Sequence, residues 1–269
     1  MLRAVRMAAL GFRAHRGMFL ASGLSFTFLI CLIPFLFFLV SLAGFVLSRR
    51  AATDVVLNQL GQFVPVYRAE IHQTLAEVVR RRGLSGLLGT VVLLVFASQL
   101  FGSMRLVLNE VFGFRAGPGF LREMLKDLLL LFLMGALFLA SVVIIDLFSW
   151  IKVLLMVPVG LPPEWIRSTF ITLALGINTA MFFIAYRYFP HRKVAVGAAL
   201  GGAILASILW EAAKQLFRWY ILSVGVYDRI YGPLGVLVAL SMFTYYSGIV
   251  FVLGAEFAAA LRVSGRASA

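Results

Sequence analysis

Uninterrupted apolar stretches of about twenty residues recur along this chain, and they fix the solvent in which it folds. A segment of that length, rising about 1.5 Å per residue as a helix, crosses the roughly 30 Å of hydrocarbon in a bilayer. It also satisfies its backbone donors and acceptors internally, which lipid demands. Six spans are predicted, over residues 18–47, 84–101, 128–150, 168–188, 196–222 and 234–261. The expected fold class is all-α: a polytopic membrane helical bundle with six transmembrane helices and short amphipathic helices in the loops. Charged residues make up 13% of the 269 residues, about half the share of a soluble domain. No Gly/Ser-rich or Pro-rich linker interrupts the chain, so residues 1–269 read as a single integral membrane domain.

The first span is longer than a crossing needs, and Pro34 removes a backbone donor near its middle. A tilt or kink is expected there, with Ser22, Ser25 and Thr27 available to meet freed carbonyls. The basic start and the apolar run after it exceed a signal peptide's h-region of roughly 7–15 residues, and no small-x-small cleavage pattern follows; the segment reads as an uncleaved span. Between the first two spans, residues 49–83 carry apolar positions near helical spacing, broken at Pro65. Two short amphipathic helices at the membrane surface are expected. Residues 104–111 look similar, and Gly113, Gly117, Pro118 and Gly119 break that pattern.

Net charge is +13, from 24 Lys and Arg against 11 Asp and Glu. In a soluble protein that excess would point to nucleic acid. Here the cations sit at the edges of apolar segments, as at Arg13–Arg16, Arg49–Arg50, Arg80–Arg82 and Arg192–Lys193. They set topology and anchor to anionic head groups, so the expected partners are membrane lipids, anionic ones included, and not nucleic acid. With six spans both termini share one side, and that side holds more Lys and Arg, which favours cytoplasmic termini. The Arg-rich first loop on the opposite side narrows the margin. Cys31, the single cysteine, lies in the first span and reads as a packing residue.

One cluster of charges breaks the rule that ionised groups stay at span edges. Glu211, Lys214, Gln215 and Arg218 lie inside the fifth apolar run. At 100° per residue all four fall within an arc of about 100° on one helix. An unpaired charge in hydrocarbon costs roughly 2.5–3.5 kcal/mol on insertion scales, so the stripe must face protein, water or a polar cargo. In one reading Glu211 and Lys214 neutralise each other at i, i+3 while Arg218 snorkels to the interface. In the other the stripe lines a hydrophilic path for a head group or ion, and this reading is preferred. Glu256, in the last span behind Gly254–Ala255, is the favoured partner; Asp146, Asn178 and Arg187 are further candidates.

Other motifs carry structure. Gly197 and Gly201, then Ala198, Gly202 and Ala206, form small-residue ridges that let a second helix approach closely. Tyr231-Gly232-Pro233-Leu234-Gly235 reads as a tight turn into the last span. No catalytic residue, cofactor or metal is expected. His15, His72 and His191 are scattered, and there is no HExxH, paired cysteine or Gly-rich loop with a Walker lysine.

These motifs, taken in order, resemble one family. Ala21-Ser22-Gly23-Leu24-Ser25-Phe26-Thr27 with Ile33-Pro34, Tyr186-Arg187-Tyr188-Phe189-Pro190, Trp210-Glu211-Ala212-Ala213-Lys214, the Tyr231–Gly235 turn and Gly254-Ala255-Glu256 are similar to the YihY/BrkB family of bacterial inner-membrane proteins. The resemblance implies six transmembrane helices, a location in the bacterial inner (plasma) membrane, and links to virulence, serum resistance and envelope lipid handling. Relatives have carried a ribonuclease label; a metal-dependent nuclease needs clustered His and Asp ligands in an aqueous site, and the sequence has none. The expected function is passage of a lipid or other amphipathic, anionic solute, with Glu211, Lys214, Gln215, Arg218 and Glu256 as the substrate-binding set. The rival is a non-transporting scaffold that recruits envelope-assembly partners, or further copies of itself, through basic loops.

Overall fold

A computed structural model describes the backbone of residues 2–46, 82–114, 129–130, 133, 163–224 and 234–266. Among them the regular structure is helical: α1 (Leu2–Ala14), α2 (Gly17–Val46), α3 (Arg82–Phe112), α4 (Pro163–Tyr188), α5 (Val196–Val224) and α6 (Leu234–Arg266). By length and hydropathy, Val196–Tyr220 of α5 and Val238–Ser264 of α6 qualify as membrane crossings, and Arg3–Ala14 with Gly17–Leu32 make a third if the bent pair is counted as one. The all-α membrane class stands. The predicted helices of residues 49–81, the Tyr231–Pro233 turn and almost all of the third span lie outside the described residues.

The first span starts after a corner: α1 and α2 meet at 72° across Ala14–Gly17, and α2 continues as one helix through Pro34. The corner is built by Arg16 in the left-handed region (φ 52°), with Arg16 N–H donating to the Arg13 carbonyl at 3.2 Å. Two α2 hydroxyls bond their own helix and reach neighbouring helices as well. Ser25 Oγ reaches the Ala21 carbonyl (2.5 Å) and the Thr244 carbonyl of α6 (2.9 Å), and Thr27 Oγ1 reaches Gly23 O (2.9 Å). None of these is the Ile30 carbonyl that Pro34 releases.

One sequence expectation is corrected, at Gly102, where the second span was expected to end. α3 instead runs unbroken to Phe112, because one buried face continues through Ala97, Phe101, Arg105, Leu108 and Phe112 at helical spacing. The helix stops at Gly113, as expected, with φ +65° and Phe114 N–H donating to the Asn109 carbonyl at 2.9 Å. That left-handed residue and its bond are a helix C-terminal cap.

The chain divides into two compact units, one formed by Met1–Leu20, Met104–Ala212 and Ile249–Ala269, the other by Ala21–Ser103 and Ala213–Gly248. The first unit is built on small residues. A Cβ on Gly202 would lie 2.5 Å from the Gly254 carbonyl and 2.7 Å from Ala258 Cβ, and one on Gly254 would lie 2.7 Å from Ala206 Cβ. The ridge predicted on α5 is thus a contact with α6, except that a Cβ on Gly197 would meet nothing within 4 Å. Tyr186 of α4, fully buried, donates its hydroxyl to Phe251 O at 2.9 Å, and Thr179 Oγ1 donates to Ser207 Oγ at 2.9 Å. Ala4 and Ala8 of α1 pack on Phe257 and Ala260 of α6.

In the second unit, α2 and α6 touch where a Cβ on Gly248 would collide with Ser25 Oγ and the Ala21 carbonyl. Thr27 and Ser103 hydroxyls lie 3.3 Å apart, linking α2 to α3, and the Phe217 and Phe243 rings pack with centroids 5.2 Å apart.

Candidate functional site

α5 carries the charged stripe because its apolar residues suffice for a crossing even with four polar positions on one face. Glu211 and Lys214 are half-buried, while Gln215 and Arg218 are exposed. Leu216 and Trp219, at 61% exposure each, lie to one side of Gln215 and Arg218, so this stretch of α5 presents polar and apolar surface side by side. Trp210, just before Glu211, stands edge-on to the Phe182 ring of α4 at 6.3 Å, 72°. Such an amphipathic surface suits a solute with a charged head and an apolar body.

Glu256 occupies a different place. It is 3% exposed, and its Oε1 lies 2.8 Å from His15 Nδ1, the pair sharing one proton in either assignment. The bare Cα of Gly11 lets the carboxylate in: a Cβ there would overlap Glu256 Oε2. Glu256 lies at the level of Gly202, whose neighbours are Gly254 and Ala258. At 1.5 Å per residue that is about 13 Å along α5 from Glu211. The structure therefore brings Glu256 to the α1–α2 corner and to His15.

Arg187 is also accounted for: its Nη1 donates to Val194 O at 3.0 Å, closing the turn between α4 and α5, and its guanidinium lies over the Tyr188 ring at 5.6 Å. Asn178 is half-buried on α4, and Asp146 lies outside the described residues. Among the described residues no three His, Cys, Asp or Glu side chains converge as metal ligands.

Sequence reasoning missed a group of side chains at the end of the first unit that holds the C-terminus of α3 and the α4–α5 turn. Arg105 and Asn109, one turn apart on α3, are both 6% exposed. The Asn109 carboxamide oxygen accepts the His191 backbone N–H at 3.0 Å. Arg262 of α6 lies over the Phe114 ring at 4.7 Å, with Nη1 3.4 Å from the Phe112 carbonyl at the helix end, where a cation is favoured. The one available signal was the amphipathic pattern of residues 104–111; nothing in it marks Asn109 as the partner of His191, 82 positions away.

Helices, composition and an ionised crossing helix define an integral membrane protein of the α-helical class. The chain belongs to the family described as virulence factor BrkB, whose profile matches residues 8–268. It is 28% identical over 253 residues to a UPF0761 membrane protein of Chlorobium chlorochromatii, covering 90% of this chain and 56% of that protein. A UPF0761 membrane protein of Alkalilimnicola ehrlichii is 29% identical over 254 residues, again 90% of this chain and 54% of the relative. The chain thus spans about half the length of these curated relatives. It covers 90% of a ribonuclease-like protein of Bacillus subtilis, YfkH, at 25% identity over 253 residues. No solved structure matches.

Proposed function

We propose that this protein carries an amphipathic, anionic solute, most simply a phospholipid, past the hydrocarbon barrier along the polar stripe of α5. One observation carries the reading: Gln215 and Arg218 are exposed on a helix long and apolar enough to cross a membrane, one turn beyond half-buried Glu211 and Lys214. Lys214 and Arg218 attract the phosphate or carboxylate, Glu211 limits the net positive charge, and Leu216 and Trp219 give the acyl portion an apolar flank. Without these groups a charged head would cross bare hydrocarbon. Direction comes from the solute's own gradient, a coupled ion or a partner.

The same reading places the protein in the bacterial inner membrane, multi-pass, with both termini on the cytoplasmic side, in accord with the positive-inside bias. Lipid scrambling by the purified protein in liposomes tests it. Wild type is expected to equilibrate a head-labelled anionic phospholipid between leaflets, and Lys214→Met and Glu211→Gln to slow this by about tenfold, the scale of one charge-assisted hydrogen bond. Equal rates in wild type, both variants and protein-free liposomes would end the transport reading and leave the scaffold as the account to pursue.

A further inference from the structure

The outer face of α1 is cationic and apolar at once. Ala4 and Ala8 are buried against Phe257 and Ala260 of α6. At 100° per residue Val5, Ala9, Arg13, Arg6, Leu10 and Arg3 follow in that order around the opposite side, over an arc of about 160°. All six are exposed. Arg16, at the corner into α2, is exposed too, as are Met18 and Phe19 on the first turn of α2. The first acidic residue along the chain is Asp54, so α1 and the corner hold Arg3, Arg6, Arg13 and Arg16 with no carboxylate of their own. Among the described residues these guanidiniums form no ion pair; it is His15 that meets Glu256.

That face suits neither hydrocarbon nor water. As part of one bent crossing with α2, α1 would immerse Arg3, Arg6 and Arg13 in lipid tails, where isolated guanidiniums are costly. In water, Val5, Leu10, Met18 and Phe19, each more than half exposed, would stay uncovered. The membrane interface meets both demands, because apolar side chains enter the acyl boundary while arginine stems snorkel to the head groups. The corner agrees. α2 is apolar and 30 residues long, enough to cross, and α1 leaves it at 72°. With α2 near the bilayer normal, α1 then runs close to the membrane plane. Other cations share this end of the first unit. α1 packs on Ala260, two residues before Arg262, which reaches the Phe112 carbonyl at the end of α3. Asn109 of α3 holds His191, and the next two residues, Arg192 and Lys193, are exposed. Glu110 is the exposed carboxylate at this end among the described residues.

We propose that α1 lies in the membrane interface and binds anionic phospholipid through this face. Arg3, Arg6, Arg13 and Arg16 hold the head groups, and Val5, Leu10 and Phe19 enter the acyl boundary. Each arginine beside an anionic bilayer surface adds about fivefold to binding. A second copy of the chain is the wrong partner, because it would set these arginines against their own equivalents. The surface belongs to a different helix from the charged stripe of α5 and does not rest on the transport reading.

The test uses the full chain in nanodiscs of phosphatidylcholine and phosphatidylglycerol. A bimane fluorophore is attached at Leu10→Cys in a Cys31→Ser background. Its quenching is compared among trace doxyl-labelled phosphatidylglycerol, doxyl-labelled phosphatidylcholine and aqueous iodide. Both lipids are expected to quench strongly and iodide weakly, with the phosphatidylglycerol label effective at a severalfold lower mole fraction. Arg3→Gln, Arg6→Gln and Arg13→Gln together should abolish that preference and leave the melting temperature unchanged, since the three side chains are exposed and glutamine is a comparable helix former. Lysine at the same three positions should retain the preference. Arg218→Gln should leave it intact, which separates this surface from the α5 stripe. Quenching by iodide alone would put α1 in water, and protection from all three quenchers would cover it with protein; either result overturns the proposal. So does equal quenching by the two lipids in the parent chain, a comparison that stands whether or not the triple variant folds, or an unchanged preference in a folded triple variant.

Discussion

Single residues hold this fold where no side chain is the requirement. Gly202 and Gly254 bring α5 and α6 into backbone contact, which in lipid replaces the hydrophobic drive that a soluble core would use. Gly202→Val should therefore destabilise the protein by about 1–3 kcal/mol or more through overpacking, read as a lower melting temperature in detergent. Gly197→Val, five residues earlier on the same helix and facing open space, should leave the melt unchanged. Equal effects of the two substitutions would show that β-branching in the helix, and not the α5–α6 contact, sets the loss. Glu256 makes the complementary point: a carboxyl group this buried is tolerated because His15 meets it.

At the scale of elements, α1 is the informative case. Its small residues Ala4, Ala8 and Gly11 face α6, while Arg3, Arg6, Arg13, Val5 and Leu10 are exposed. A helix with cations and apolar residues on its outer face suits a membrane interface. What fixes it to the first unit is small-residue packing and the His15–Glu256 pair at the corner. His15→Ala should loosen α1, costing about 1–3 kcal/mol for the stranded carboxyl group, and hydrogen exchange over residues 2–14 should quicken. Glu256→Gln retains a hydrogen-bonding side chain and should have the milder effect. Unchanged exchange in His15→Ala would show that the Ala4 and Ala8 contacts alone hold the element. The charged face of α5 is legible from sequence for the opposite reason: all four residues lie within two turns of one helix, so geometry alone groups them.

Over the whole molecule, charge and topology should agree. Arg6 on α1 and Arg192 in the α4–α5 turn both belong to the first unit, and both are exposed. In a Cys31→Ser background, Arg6→Cys and Arg192→Cys should both be modified by a membrane-impermeant maleimide in inverted vesicles and be protected in spheroplasts. Labelling of either from the outside would reverse the cytoplasmic assignment. Family membership, from a match over residues 8–268, fits a design shared along nearly the whole chain; the longer relatives carry sequence beyond it.

The sequence by itself determined the solvent, the all-helical class and the position of the ionised stripe. Those follow from local quantities: the length of an apolar run, backbone hydrogen bonds closed within it, and the 100° step that groups Glu211, Lys214, Gln215 and Arg218. It also located the small-residue ridge and the stop at Gly113, each a property of a few adjacent residues. Only the tertiary structure decided that Glu256 belongs with His15, 241 positions away, and that α3 passes through Gly102. A glycine in a helix costs only about 1 kcal/mol relative to alanine, and whether neighbouring contacts outweigh it depends on residues that no window along the chain contains.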